Sequence, residues 1–168
     1  MPRMNPQTVV TAATALAAAL GLSVFAPAPT YAADDATVIT LTQIGCQFLE
    51  SENGVNHGYN PTKKADCNAI NSESGADRLA AAKVLTLKPG KYVFRVKNQN
   101  VPYELGFWVR ESDYDWRNPV HKVTKTSVSG GGLTQGKTKD YAVELKPGEY
   151  VYSCPLNPTP NYRIQVEG

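Results

Sequence analysis

The chain has 168 residues, 42% of them hydrophobic, and its 17 Lys and Arg face 15 Asp and Glu for a formal charge of +2. A balance this even gives no electrostatic footing for nucleic-acid binding. The one long apolar run, Val9 to Phe25, falls short of the roughly 18 to 20 residues a spanning helix requires, and no comparable run comes after it, so no membrane span is expected in the rest of the chain.

Residues 1–32 carry Arg3 as their only charge, then the alanine- and leucine-rich run, then small residues around Thr30-Tyr31-Ala32. That is the layout of a signal peptide cleaved after Ala32, with a retained N-terminal anchor as the alternative reading. No cysteine stands at the cut and no Arg-Arg pair precedes the run, which argues against a lipoprotein and against twin-arginine export. Residues 33–168 are then one domain of common size, placed in the periplasm or secreted, where disulfides persist.

The pattern is β almost throughout. Ala36 to Thr42 alternates with period two, as a strand does. Residues 45–83 read as a loop and helix insertion: an Asn-, Gly-, Ser- and charge-rich loop holding Cys46 and Cys67, then one short helix over Ser72 to Lys83. Strands are expected next at Val84 to Leu87, Tyr92 to Lys97, Tyr103 to Arg110, His121 to Val128, Lys139 to Leu145, Tyr150 to Cys154 and Tyr162 to Val166. Tyr114 and Trp116, in the loop after Trp108, read as caps on the core in preference to an exposed recognition platform.

Leu87-Lys88-Pro89-Gly90-Lys91-Tyr92-Val93-Phe94 is echoed by Leu145-Lys146-Pro147-Gly148-Glu149-Tyr150-Val151-Tyr152. Two Pro-Gly corners are too few for a repeat array but suit a β-sandwich whose halves enter the core alike. Parity puts Tyr150, Tyr152 and Cys154 on one face, and Tyr103, Leu105, Phe107 and Val109 on one face of another strand, so Cys154 and Tyr103 are expected near one end of the core.

Gly131-Gly132-Leu133-Thr134-Gln135-Gly136-Lys137-Thr138 matches the phosphate-loop pattern GxxxxGKT. The mechanism needs a helix whose first amides face the phosphates, whereas Lys139 to Leu145 alternates as a strand and Pro147 then stops any helix. The match is read as a connection between strands, without nucleotide. Cys46 and Cys67 bracket 20 residues of loop, and a disulfide between them stabilises by about 3 kcal/mol through loop-closure entropy. Pairing of either with Cys154 is the competing arrangement.

Lys97-Asn98-Gln99-Asn100-Val101-Pro102-Tyr103-Glu104 resembles the plastocyanin-type turn that leads into a copper-ligating histidine, and Gly148-Glu149-Tyr150-Val151-Tyr152-Ser153-Cys154-Pro155 resembles the strand that delivers the cysteine ligand. Together they are similar to the cupredoxin family over about residues 83–166. The resemblance implies an all-β, Greek-key cupredoxin-like sandwich and a metal position at Cys154. The other ligand positions then fall to Tyr103, Asn157 and Tyr162, none of which supplies the histidines or methionine of a His2Cys copper site. The chain's histidines, His57 and His121, lie outside both motifs, leaving a site built from one of them with Cys154 and Glu104 as the alternative. Neither a nucleophile with its base nor a carboxylate pair is recognisable, which argues against an enzyme. The expected function is an exported, non-catalytic binding or accessory module acting on a partner protein or redox system. The alternative is a copper-binding or electron-transfer protein with an atypical Cys154-centred site, copper then being its cofactor.

Overall fold

The computed structural model describes residues 35–168; the signal peptide expected over residues 1–32 lies outside them. Among the described residues nine strands form two sheets. The first has the order β2-β1-β4-β7, from Gln47–Phe48, Thr37–Ile44, Gly90–Asn98 and Thr138–Leu145. The second has the order β3-β9-β8-β5-β6, from Leu85–Leu87, Tyr162–Val166, Gly148–Ser153, Leu105–Glu111 and Ser127–Leu133. Within them β1 runs parallel to β4 and β3 parallel to β9, and the other pairs are antiparallel.

Alternation along the strands fills the space between the sheets. On β4, Tyr92, Phe94 and Val96 are buried while Lys91, Arg95 and Lys97 face solvent, the hydrophobic-in, polar-out reading of a two-residue period. Phe48 stands edge-on to Phe107, Tyr152 and Tyr162 at centroid distances of 5.5 to 6.0 Å, geometry that aromatic quadrupoles favour.

The two echoed corners are alike in space. The Tyr92 hydroxyl donates to the Lys88 carbonyl at 2.7 Å, and the Tyr150 hydroxyl to the Lys146 carbonyl at 3.1 Å. Each tyrosine thereby ties its strand to the turn that precedes it. Tyr92→Phe and Tyr150→Phe are each expected to lower unfolding free energy by about 1 kcal/mol, the net value of one hydrogen bond. Urea titrations with unchanged midpoints would show that the corners hold without these bonds.

Five sequence expectations are corrected. The helix α1 spans Lys64–Ala81 and starts eight residues before Ser72. Asp66 anchors the early start by accepting the Thr62 and Lys63 amide N–H groups at 2.8 and 3.2 Å, which favours a carboxylate in the first turn. Residues 45–83 are also more than loop and helix, because they contain β2, whose Phe48 is fully buried in the core.

In place of a strand over His121 to Val128 there is a one-turn helix, α2, at His121–Thr124, and β6 begins only at Ser127. Gly130, Gly131 and Gly132 lie inside β6 and are not a connection. They suit a sheet edge where neighbours come close: a Cβ on Gly130 would sit 3.0 Å from the Tyr141 ring, and one on Gly106 opposite would sit 2.8 Å from the Gly130 carbonyl oxygen. Finally, Tyr103 precedes β5 and is not part of that strand, whose inward face is made by the fully buried Leu105, Phe107 and Val109; it packs, partly buried, against the same core.

Candidate functional site

Cys154 comes directly after β8, and the inward parity of Tyr150 and Tyr152 carries on to it, leaving all three buried. Its Sγ accepts the Asn157 amide N–H at 3.1 Å and the Gly106 amide N–H at 3.5 Å. Burial pushes the thiol pKa up, against the pull of these N–H groups, so the group stays protonated at neutral pH. Gly106 is gripped on its other side by the buried Gln43, whose Nε2 donates to the Gly106 carbonyl at 2.8 Å. The Gln43 Oε1 has no hydrogen-bond partner among the described residues.

Asn157 is the hub of this end of the sandwich. It is fully buried; its Oδ1 accepts the Cys46 amide N–H and the Tyr103 hydroxyl, both at 3.1 Å, and its Nδ2 donates to the Ile44 carbonyl at 3.0 Å. Cys46 and Cys67 form a disulfide, and Cys154 is free. The Cys67 Sγ lies 3.0 Å from the same Asn157 oxygen, a close contact and not a hydrogen bond, since a bridged sulfur carries no proton. The turn between β1 and β2 approaches the segment after His57 so tightly that only glycine fits at position 45, where a Cβ would stand 2.2 Å from the Tyr59 carbonyl oxygen. The Tyr103 pKa is pushed up to about 12, by burial and then by proximity to Cys154, so the phenol stays a donor.

Of the residues read from the sequence, Tyr103 and Cys154 therefore meet through Asn157. Tyr162 goes elsewhere: its hydroxyl donates to the Glu52 carboxylate in a very short hydrogen bond. His57 places Nε2 2.7 Å from Glu52, His121 accepts the Asp115 amide N–H at 3.0 Å, and Glu104 accepts the Gly132 amide N–H at 2.7 Å. Among the described residues, neither histidine and no carboxylate hydrogen-bonds to Cys154, Asn157 or the Tyr103 hydroxyl. Among the described residues no group of three or more His, Cys, Asp and Glu comes together to hold a metal. The donor set at Cys154 does not fit copper: one neutral buried thiol stands beside an amide whose oxygen and nitrogen are already engaged and a phenol that is donating.

A second buried cluster escaped the sequence reading. Glu52, with its side chain 4% exposed, receives Arg78 Nε at 3.1 Å and Nη2 at 2.7 Å, together with Tyr162 and His57. Arg78 also donates to the Cys46 carbonyl and to Asn71 Oδ1, each at 2.9 Å. Burial opposes the charged carboxylate, but Arg78, Tyr162 and His57 outweigh it, and the Glu52 pKa is held below its ordinary value. Glu52 and Arg78 lie 26 positions apart, so no spacing rule points to their pairing, and charged residues are read as solvated by default.

Residues 131–138 run from the end of β6 through a turn closed by Lys137 N–H to the Thr134 carbonyl and into β7. A strand comes after the glycines, so no helix N-terminus stands there to meet phosphate. The chain matches no protein-family model, and no curated protein matches it.

Proposed function

We propose that this chain is an exported, cupredoxin-like Greek-key sandwich, with residues 1–32 a cleavable signal peptide, that works as a non-catalytic binding or accessory module. Its partner is a protein or redox system met outside the cytoplasm, in the periplasm or the medium, and it needs neither copper nor nucleotide for that role. The chain crosses between the sheets at β2–β3, β3–β4, β4–β5, β6–β7 and β7–β8, which supports Greek-key connectivity.

One observation carries the functional reading. Asn157, which the resemblance aligns with a ligating histidine, is fully buried and spends Oδ1 on two donors and Nδ2 on a carbonyl. These bonds close the end of the sandwich with a polar knot that fixes the disulfide loop to Tyr103. A buried amide with its bonds made is costly to strip for a metal, because the abandoned partners would be left unsatisfied.

The test is addition of Cu(II) to the purified protein, with visible spectra and metal analysis. The expected result is no intense thiolate-to-copper band and no stoichiometric copper. A strong band lost in Cys154→Ser would instead establish the Cys154-centred electron-transfer reading.

A further inference from the structure

The excursion between β5 and β6 ends in a tip whose chemistry is unlike the rest of the surface. Residues 116–123, Trp-Arg-Asn-Pro-Val-His-Lys-Val, contain no acid. Trp116 is 58% exposed, Val120 57% and Val123 85%, the three highest values among the exposed large hydrophobic side chains. Neither Trp116 nor Tyr114 caps the core, as their sequence context suggests: Trp116 is exposed, and Tyr114 packs edge-on to the half-buried Trp108 on the outer face of β5 at 6.0 Å. Val120 and Val123 are three residues apart across the single turn of α2 and share a face.

The cations are arranged to match. The Arg117 guanidinium lies 5.2 Å from the Trp116 ring centroid, and among the described residues neither Arg117 nor Lys122 is in an ion pair. The acids of the excursion sit at its base, where Lys125 binds Asp113 at 2.6 Å and Glu111 at 3.4 Å. Asp115 turns its carboxylate to the Arg117 amide N–H. The base thus holds three carboxylates, Glu111, Asp113 and Asp115, against the one ammonium of Lys125, while the tip beyond them presents two cations among three exposed apolar side chains.

We propose that this tip docks on an anionic lipid surface, with Trp116, Val120 and Val123 entering the headgroup boundary while Arg117 and Lys122 contact lipid phosphates. An indole prefers the membrane interface, and apolar side chains interleaved with cations and free of acids are the pattern of interfacial anchors. A protein partner is less well served, since a stable protein interface buries about 800 Å² per side and the tip offers only a few side chains. Among the described residues, pockets of about 230, 290 and 240 Å³ are lined by residues outside the tip. The proposal goes beyond the reading of the Cys154 end and does not depend on it.

The test is co-sedimentation of the disulfide-bonded chain from residue 33 onward, which contains both sheets and their core, with two kinds of vesicle. One is an equal mixture of phosphatidylglycerol and phosphatidylcholine; the other is phosphatidylcholine alone. Binding is expected to the anionic vesicles only, and to weaken as salt rises. Arg117→Gln and Lys122→Gln should each reduce the partition about fivefold, and Val123→Asp about tenfold, with melting temperature unchanged because these side chains are exposed. Equal binding to both vesicles, no binding of the parent, or binding indifferent to all three substitutions overturns the proposal.

Discussion

Arg78→Leu is expected to destabilise the fold by about 3–5 kcal/mol at neutral pH, the cost of leaving a buried carboxylate without its cation. The substitution keeps most of the side-chain volume and removes all three hydrogen bonds to Glu52, the bond to the Cys46 carbonyl and the bond to Asn71. Glu52→Gln in the same background should recover a large part of the loss, because a neutral amide tolerates burial far better than a lone carboxylate. The pH dependence gives a second signature. In the parent, Glu52 has its pKa below the ordinary 4.5, so its contribution is present above that value and is lost as pH falls through the folded-state pKa. In Arg78→Leu, burial is no longer countered by the guanidinium, the carboxyl pKa rises, and protonation relieves the variant. The gap between parent and variant should therefore narrow in acid. Denaturant titrations at pH 7 and in mild acid check this; a gap independent of pH would mean that the loss is one of packing alone.

How much of this protein is legible in its sequence depends on how local the cause is. Period-two alternation along β4 and β8 needs only neighbouring residues, and both strands start two residues before and end within one residue of where that alternation puts them. The two Lys-Pro-Gly-x-Tyr corners are likewise local, with the tyrosine reaching back four residues to its own turn. The first half of α1 is not legible in this way. Its buried residues are Cys67, Gly75 and Arg78, so no apolar stripe marks the helix. The glycines of β6 look like a loop until Tyr141 and the Gly106 strand are placed beside them. The site is hardest of all, because Asn157 acquires its role from Cys46, Ile44 and Tyr103, which are 111, 113 and 54 positions away. A ligand motif read by alignment finds the position of such a residue but not what it bonds to.

Removal of the disulfide, by the paired substitution Cys46→Ala with Cys67→Ala, is expected to cost about 3 kcal/mol, and the loss should appear mainly through the unfolded state. The bridge closes a loop of sequence separation 21. In the native fold that loop is held independently, since Arg78 grips the Cys46 carbonyl and Asn157 accepts the Cys46 amide N–H, both backbone groups that the substitution keeps. Native helix content should thus survive, and the denaturant m-value should rise as the unbridged unfolded chain expands. Reduction of the parent protein should reproduce both effects. A different outcome is informative: loss of α1 from the circular dichroism of the folded variant would mean that the bridge, and not the Glu52–Arg78 pair, pins the helix to the sandwich. The two clamps are distinguishable because only the ionic one weakens in acid, so Arg78→Leu and the cysteine variant should part company as pH is lowered.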